Sequence, residues 1–148
     1  MDFHTLKIKE IICVVKFTAE KMNFAVQNRD NHIIGIQLSG SALHYFKNQK
    51  FTIDEGCIYF LNQKDDYKVD ILEKGVAFSI HFTTYEPIDT DSFCTKTSRA
   101  NEIVRLLSII EKDFFSKRMN SVCCRVFMAC VRNSAKFIKN LIFQEIKE

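Results

Sequence analysis

From His32 to Phe82 the apolar positions come in short runs broken by clusters of Gly, Asn and Asp, and from Ser98 onward they recur at three- and four-residue spacing. The first pattern predicts five or six short strands and the second predicts helix. His32 to Leu38 ends at Ser39-Gly40-Ser41 and resumes as Ala42 to Phe46, which reads as a strand, a glycine turn and a second strand. Phe51 to Ile53 runs into Asp54-Glu55-Gly56, where the glycine supplies a positive φ for the turn into Cys57 to Leu61. A polar break, Asn62 to Asp66, precedes Tyr67 to Leu72, and Glu73-Lys74-Gly75 separates that run from Val76 to Thr83. Residues 3 to 28 are ambiguous; the apolar run Ile11 to Val15 is of strand length and is bounded by Lys and Glu, so strands are the reading adopted.

The run Val76 to Thr83 has two unlike faces. Successive side chains point to opposite sides of a strand, so Val76, Phe78, Ile80 and Phe82 share one face and Ala77, Ser79, His81 and Thr83 the other. Closely spaced strands of this kind suit a sandwich or barrel with one face turned inward and the other covered by helices. Thr97 or Ser98 is placed to cap a helix with Ile103, Leu106, Leu107, Ile110 and Phe114 on one stripe. Ser121 is placed to cap a second, longer helix bearing Val122, Val126, Phe127, Cys130, Val131, Phe137, Ile138, Leu141 and Ile142, with Arg125, Arg132, Asn133, Lys136 and Lys139 opposite. The expected fold is α+β, mainly β: one domain over 1–148, with a barrel over about 8–85 and two antiparallel helices over about 98–146.

Composition narrows the function. A chain of 148 residues with 47% hydrophobic content supports one sizeable core. The net charge of +3 comes from scattered Lys and Arg, without the clustered stripe that nucleic-acid contact requires. No apolar run reaches the length of a membrane span, and Asp2, Lys7, Lys9 and Glu10 lie where a signal peptide needs an apolar core, so a cytoplasmic location is expected. Six cysteines without a C-x-x-C pair read as buried free thiols. Cys123 and Cys130 share a helix face, but no further ligand stands at metal-binding spacing; His4, His32, His44 and His81 are also unpaired. No catalytic residue, metal or cofactor is expected.

The order of elements resembles the N-terminal, effector-binding and dimerisation domain of AraC-type transcription regulators, a cupin-like barrel or jelly roll followed by helices. The resemblance is carried by Leu38-Ser39-Gly40, the Gly56-Cys57-Ile58-Tyr59-Phe60-Leu61 strand, Ser79-Ile80-His81-Phe82 and the two helices after Ser98, over about residues 30 to 142. Two positions depart from it. The family usually has Asp after the turn glycine, where this chain has Cys57, and often a Pro-Pro-Gly-x-x-His stretch, where this chain reads Asn62 to Tyr67. Metal-dependent cupin enzymes converge several histidines and a carboxylate on one ion; here His44 stands alone and Tyr67 occupies the place of the later histidine. The resemblance implies a sensor that homodimerises and acts on DNA only through a separate C-terminal domain outside this chain. The alternatives are a cupin-fold isomerase or dioxygenase, and a dimerisation module whose barrel is filled.

Within such a barrel Ser79 and His81 would face the interior and offer hydrogen bonds to a small effector. Tyr67 and Gln37 are candidates of the same kind, and Arg29, just before the His32 strand, is placed to meet an anionic or hydroxyl-rich ligand. Against this, a lone His81 serves equally well as a packed core histidine, Arg29 as a loop cation, and fourteen phenylalanines suffice to fill a barrel. On the second helix, Phe127, Val131, Phe137 and Leu141 are the expected dimer seam across a two-fold axis.

Overall fold

The computed structural model describes residues 7–119. Its frame is a pair of long antiparallel strands, β3 (His32–Phe46) and β6 (Tyr67–Thr84), hydrogen-bonded to each other along most of their length. Around them stand β1 (Ile8–Ala19), β2 (Asn23–Val26), β4 (Lys50–Asp54), β5 (Cys57–Leu61) and β7 (Phe93–Lys96), and α1 (Ala100–Met119) follows. The sheet is wholly antiparallel, in the order β1-β6-β3-β5-β7, with β2 also on β6 and β4 also on β3.

Two of the expected turns are bends inside continuous strands. Ser39-Gly40-Ser41 does not end a strand: β3 runs through it with shifts of register between Gln37 and Ala42. Glu73-Lys74-Gly75 likewise lies within β6. The two glycines face each other at the bend. A Cβ at Gly75 would collide with the Ser39 carbonyl, and one at Gly40 would lie 2.5 Å from the Lys74 carbonyl oxygen; Gly40 also holds φ at +74°. The bend is stapled by the Val76 amide, which donates to Ser39 Oγ (3.1 Å), and by the Gly56 amide, which donates to the Gln37 carbonyl (2.8 Å). Each long strand therefore serves two sets of neighbours: β1 and β5 on one side of the bend, β2 and β4 on the other.

The alternation expected for Val76 to Thr83 separates two cores. Phe78, Ile80 and Phe82 join Ile11, Val14, Ile34, Ile36, Ile58 and Phe60 on the face that α1 covers with Ile103, Leu107, Ile110 and Phe114. Fully burying each such side chain contributes about 1.5–3 kcal/mol, which is what fixes the helix on the sheet. The opposite face turns Ile53, Tyr59, Leu61, Tyr67, Val69 and Ile71 into the barrel. The first helical bond of α1 runs from the Ile103 amide to the Arg99 carbonyl (3.1 Å), while Thr97 Oγ1 accepts the Arg99 amide (2.9 Å), so the helix starts just after the residues expected to cap it.

Strand β7 was not expected from the pattern: Phe93-Cys94-Thr95-Lys96 is too short to show alternation, and it exists by pairing with β5. The second helix, with the seam residues Phe127, Val131, Phe137 and Leu141, lies outside the described residues. Among the described residues no helix is long and apolar enough to cross a membrane.

Candidate functional site

The described side chains do not fill the barrel. A cavity of about 300 Å³ lies in the face opposite α1, walled by residues of β1 through β6 from both sides of the bend. Its walls are mostly apolar, with Val15, Phe24, Ile33, Ile53, Leu61, Val69 and Ile71 among them. Gln37, His44, Tyr59, Tyr67, Ser79 and His81 supply the polar groups of the inner wall, while Phe17 and Glu73, both exposed, mark the mouth.

Four of the five ligand candidates read from the sequence thus line one cavity: Gln37, Tyr67, Ser79 and His81. Ser79 and His81 reach it because the inward phase of β6 is fixed by its bulky outer face. Gln37 stands at the bend, where its Nε2 donates to the Ser39 carbonyl (2.8 Å). Arg29 does not line the cavity. Its guanidinium donates to the carbonyls of Asn62, Asn31 (3.3 Å) and Asp65 (3.5 Å) and lies 5.1 Å above the Tyr67 ring, so it ties the 62–66 turn to the end of the barrel.

That end is closed by a polar network occupying the place of the departed Pro-Pro-Gly-x-x-His stretch. Buried Asn62 donates through Nδ2 to the carbonyls of Ile88 (2.6 Å) and Thr90 (2.8 Å), and its amide donates to Ser92 Oγ (2.8 Å). Ser92 Oγ in turn donates to Asp65 Oδ2 (2.7 Å). His32 Nδ1 accepts the Gln63 amide (3.1 Å). Burial, with the Arg29 charge adding to it, lowers the His32 pKa to about 4, so this imidazole is neutral and acts as an acceptor.

Two further wall residues were not singled out as ligand contacts. Tyr59, Gly35 and Ser79 stand in one row across β5, β3 and β6. The Tyr59 ring lies over Gly35, where a Cβ would come within 2.5 Å of its hydroxyl oxygen, and the hydroxyl reaches Ser79. Burial raises the Tyr59 pKa against the effect of that hydrogen bond, which keeps the phenol neutral. His44, read above only as a solitary metal-ligand candidate, is 8% exposed and sits among the rings of Tyr67 (5.3 Å), Phe51 (6.1 Å) and Phe46 (6.4 Å). Its Nδ1 is buried without a hydrogen-bond partner. Burial lowers its pKa to about 4; the Ala42 backbone opposes this and the Arg29 charge reinforces it. His81 is shifted down by the same two causes, burial first and Arg29 second. Tyr67 is shifted up by burial, with Arg29 opposing.

The cavity therefore presents neutral hydrogen-bonding groups on an apolar wall. Among the described residues no group of three His, Cys, Asp or Glu side chains is placed to hold a metal ion. Among the described residues Cys13, Cys57 and Cys94 form no disulfide, and Cys94, whose Sγ lies 3.4 Å from the Thr52 carbonyl, is pushed up to about 11 by burial, Cys57 and Asp54.

No family model matches the sequence, and no curated protein matches it. Solved structures do share its fold. The AraC-like transcriptional activator CuxR superposes with a TM-score of 0.63 at 11% identity, covering 91% of this chain and 51% of its own. ToxT from Vibrio cholerae with an unsaturated fatty acid bound superposes with a TM-score of 0.60 at 12% identity, covering 95% of this chain and 56% of its own. A further ToxT structure, from Vibrio cholerae O395, gives 0.54 at 13% identity. The chain spans about half the length of these regulators. Its fold, a curved antiparallel barrel with a helix packed on the outer face, is the one found in AraC-like regulators.

Proposed function

We propose that this chain is the effector-sensing and dimerisation part of an AraC-type transcription regulator, taking a small molecule in the barrel and controlling a DNA-binding domain outside this chain. The observation that carries the reading is the cavity itself, because its walls come from both sides of the bend. A ligand touching both sides ties them together, and any difference in affinity between bend geometries becomes a shift in their populations. Gln37, Tyr67, Ser79 and His81 are the proposed contacts, and Arg29 supports Tyr67 from the closed end. That ToxT, which shares this fold, has been solved with an unsaturated fatty acid bound supports a small-molecule ligand for this chain. The wall suits binding, since it sets the hydrogen-bonding groups of Gln37, Ser79 and His81 on a mostly apolar surface. The proposed location is the cytoplasm, where such a regulator meets DNA.

The test is a thermal-shift screen of small metabolites on the wild-type chain and on Ala77→Trp, which places an indole in the cavity. A ligand at a hundredfold excess over its Kd adds about 2.7 kcal/mol, which corresponds to a rise of several degrees. Such rises are expected in the wild type and not in Ala77→Trp, whose circular dichroism should remain that of the wild type. A screen without hits overturns the effector reading. Elemental analysis tests the enzyme alternative: about one transition metal per chain, lost in His44→Ala, would favour it.

A further inference from the structure

We infer that the barrel selects an uncharged ligand, a predominantly apolar small molecule carrying a hydroxyl or an amide, and discriminates against carboxylates and phosphates. The inference rests on the effector reading above and names the chemistry of that site. Among the described residues that line the cavity there is no Lys or Arg, and Glu73 at the mouth is the only side chain with a fixed charge. An anion entering would pass a carboxylate and then shed its hydration against an apolar wall without a compensating cation.

The histidines do not supply that cation. His44 is held among three aromatic rings, and His81 is half-buried on the same wall. Burial and the nearby Arg29 charge both disfavour the imidazolium forms. Arg29, the cation whose charge acts on both histidines, does not line the cavity, and its guanidinium is engaged by three backbone carbonyls beside Asp65 and Asp66. A neutral hydroxyl or amide, by contrast, finds both donors and acceptors in Gln37, Ser79 and His81, each of which lines the cavity. The volume of about 300 Å³ lies at the small end of ligand cavities, which limits the apolar body to a single ring system or a medium-length chain.

Isothermal titration of the whole chain at neutral pH with two matched pairs, nonanol against nonanoate and naphthol against naphthoate, tests this directly. The neutral member should bind at least about tenfold more tightly than its carboxylate partner, a difference of about 1.4 kcal/mol. Binding should be lost in Ala77→Trp. A carboxylate that binds as tightly as its neutral partner, and is lost in Ala77→Trp, overturns the inference and leaves the effector reading standing; further loss in Arg29→Gln would place the anion on Arg29. No binding by either neutral probe also overturns it. Only if the metabolite screen is empty as well does the effector reading fall with it.

Discussion

At position 35 a side chain is excluded by the Tyr59 ring, 2.6 Å from where a Cβ would stand, and by the Phe78 carbonyl oxygen, 2.7 Å away. Gly35→Ala is expected to push that ring off the β3 backbone and break its contact with Ser79, costing about 1–3 kcal/mol in urea denaturation. Tyr59→Phe, which removes only the hydroxyl, should cost about 1 kcal/mol. Ser79 and His81 were legible because their strand has unlike faces. Tyr59 was not: all five residues of β5 are buried, one set under α1 and the other in the barrel, so alternation carries no polarity signal. The neutral histidines give a pH prediction. His32 and His44 have folded pKa values lowered to about 4. Above the unfolded value of about 6.5 both states are neutral and stability is flat. As pH falls from there toward 4 the unfolded chain takes up protons that the folded chain refuses, and stability declines by on the order of 1–3 kcal/mol per histidine. Urea midpoints measured across this range should show a shallower decline in His44→Phe than in the wild type. Equal slopes would mean that His44 is not held neutral.

At the scale of the elements, the breaks at Ser39-Gly40-Ser41 and Glu73-Lys74-Gly75 carried the right residues and the wrong meaning. Glycine flanked by polar residues marks a turn between strands or a bend within one, and sequence alone does not separate the two. The distinction comes from the partner strand: the two glycines are apposed only because β3 and β6 pair across the whole bend. Gly75→Ala should therefore be severe, because the added Cβ meets the Ser39 backbone and not a mobile side chain. A loss of more than about 3 kcal/mol, or failure to fold, is expected by equilibrium denaturation and circular dichroism. Wild-type stability in Gly75→Ala would show that the strands do not cross so closely. Strand β7 was invisible for a related reason, since four residues gain their extended conformation from β5 and not from a pattern of their own.

For the whole molecule, the strand-then-helix order and the inward-facing wall were legible, whereas assembly and output depend on surfaces beyond one domain's core. Scattered charge argues that this chain alone does not bind duplex DNA specifically; a salt-resistant, sequence-dependent gel shift by the isolated chain would refute that. Assembly gives the firmer prediction. Helix α1 spends Ile103, Leu107, Ile110 and Phe114 on the sheet yet leaves Ile109 and Phe115 about half exposed. Beyond the described residues, the sequence read as helix would set Val122, Cys123, Val126, Phe127, Cys130, Val131, Phe137 and Ile138 on an apolar arc wider than a two-residue heptad seam. A homodimer at micromolar concentration is the expected outcome, with Phe127, Val131, Phe137 and Leu141 across the two-fold axis. In a symmetric interface Leu141→Glu buries an unpaired carboxylate twice, at a cost of several kcal/mol, and should yield monomers in sedimentation velocity. A wild-type chain that stays monomeric refutes the dimer, while a dimer indifferent to Leu141→Glu moves the interface elsewhere, with the exposed apolar residues of α1 the next surface to test.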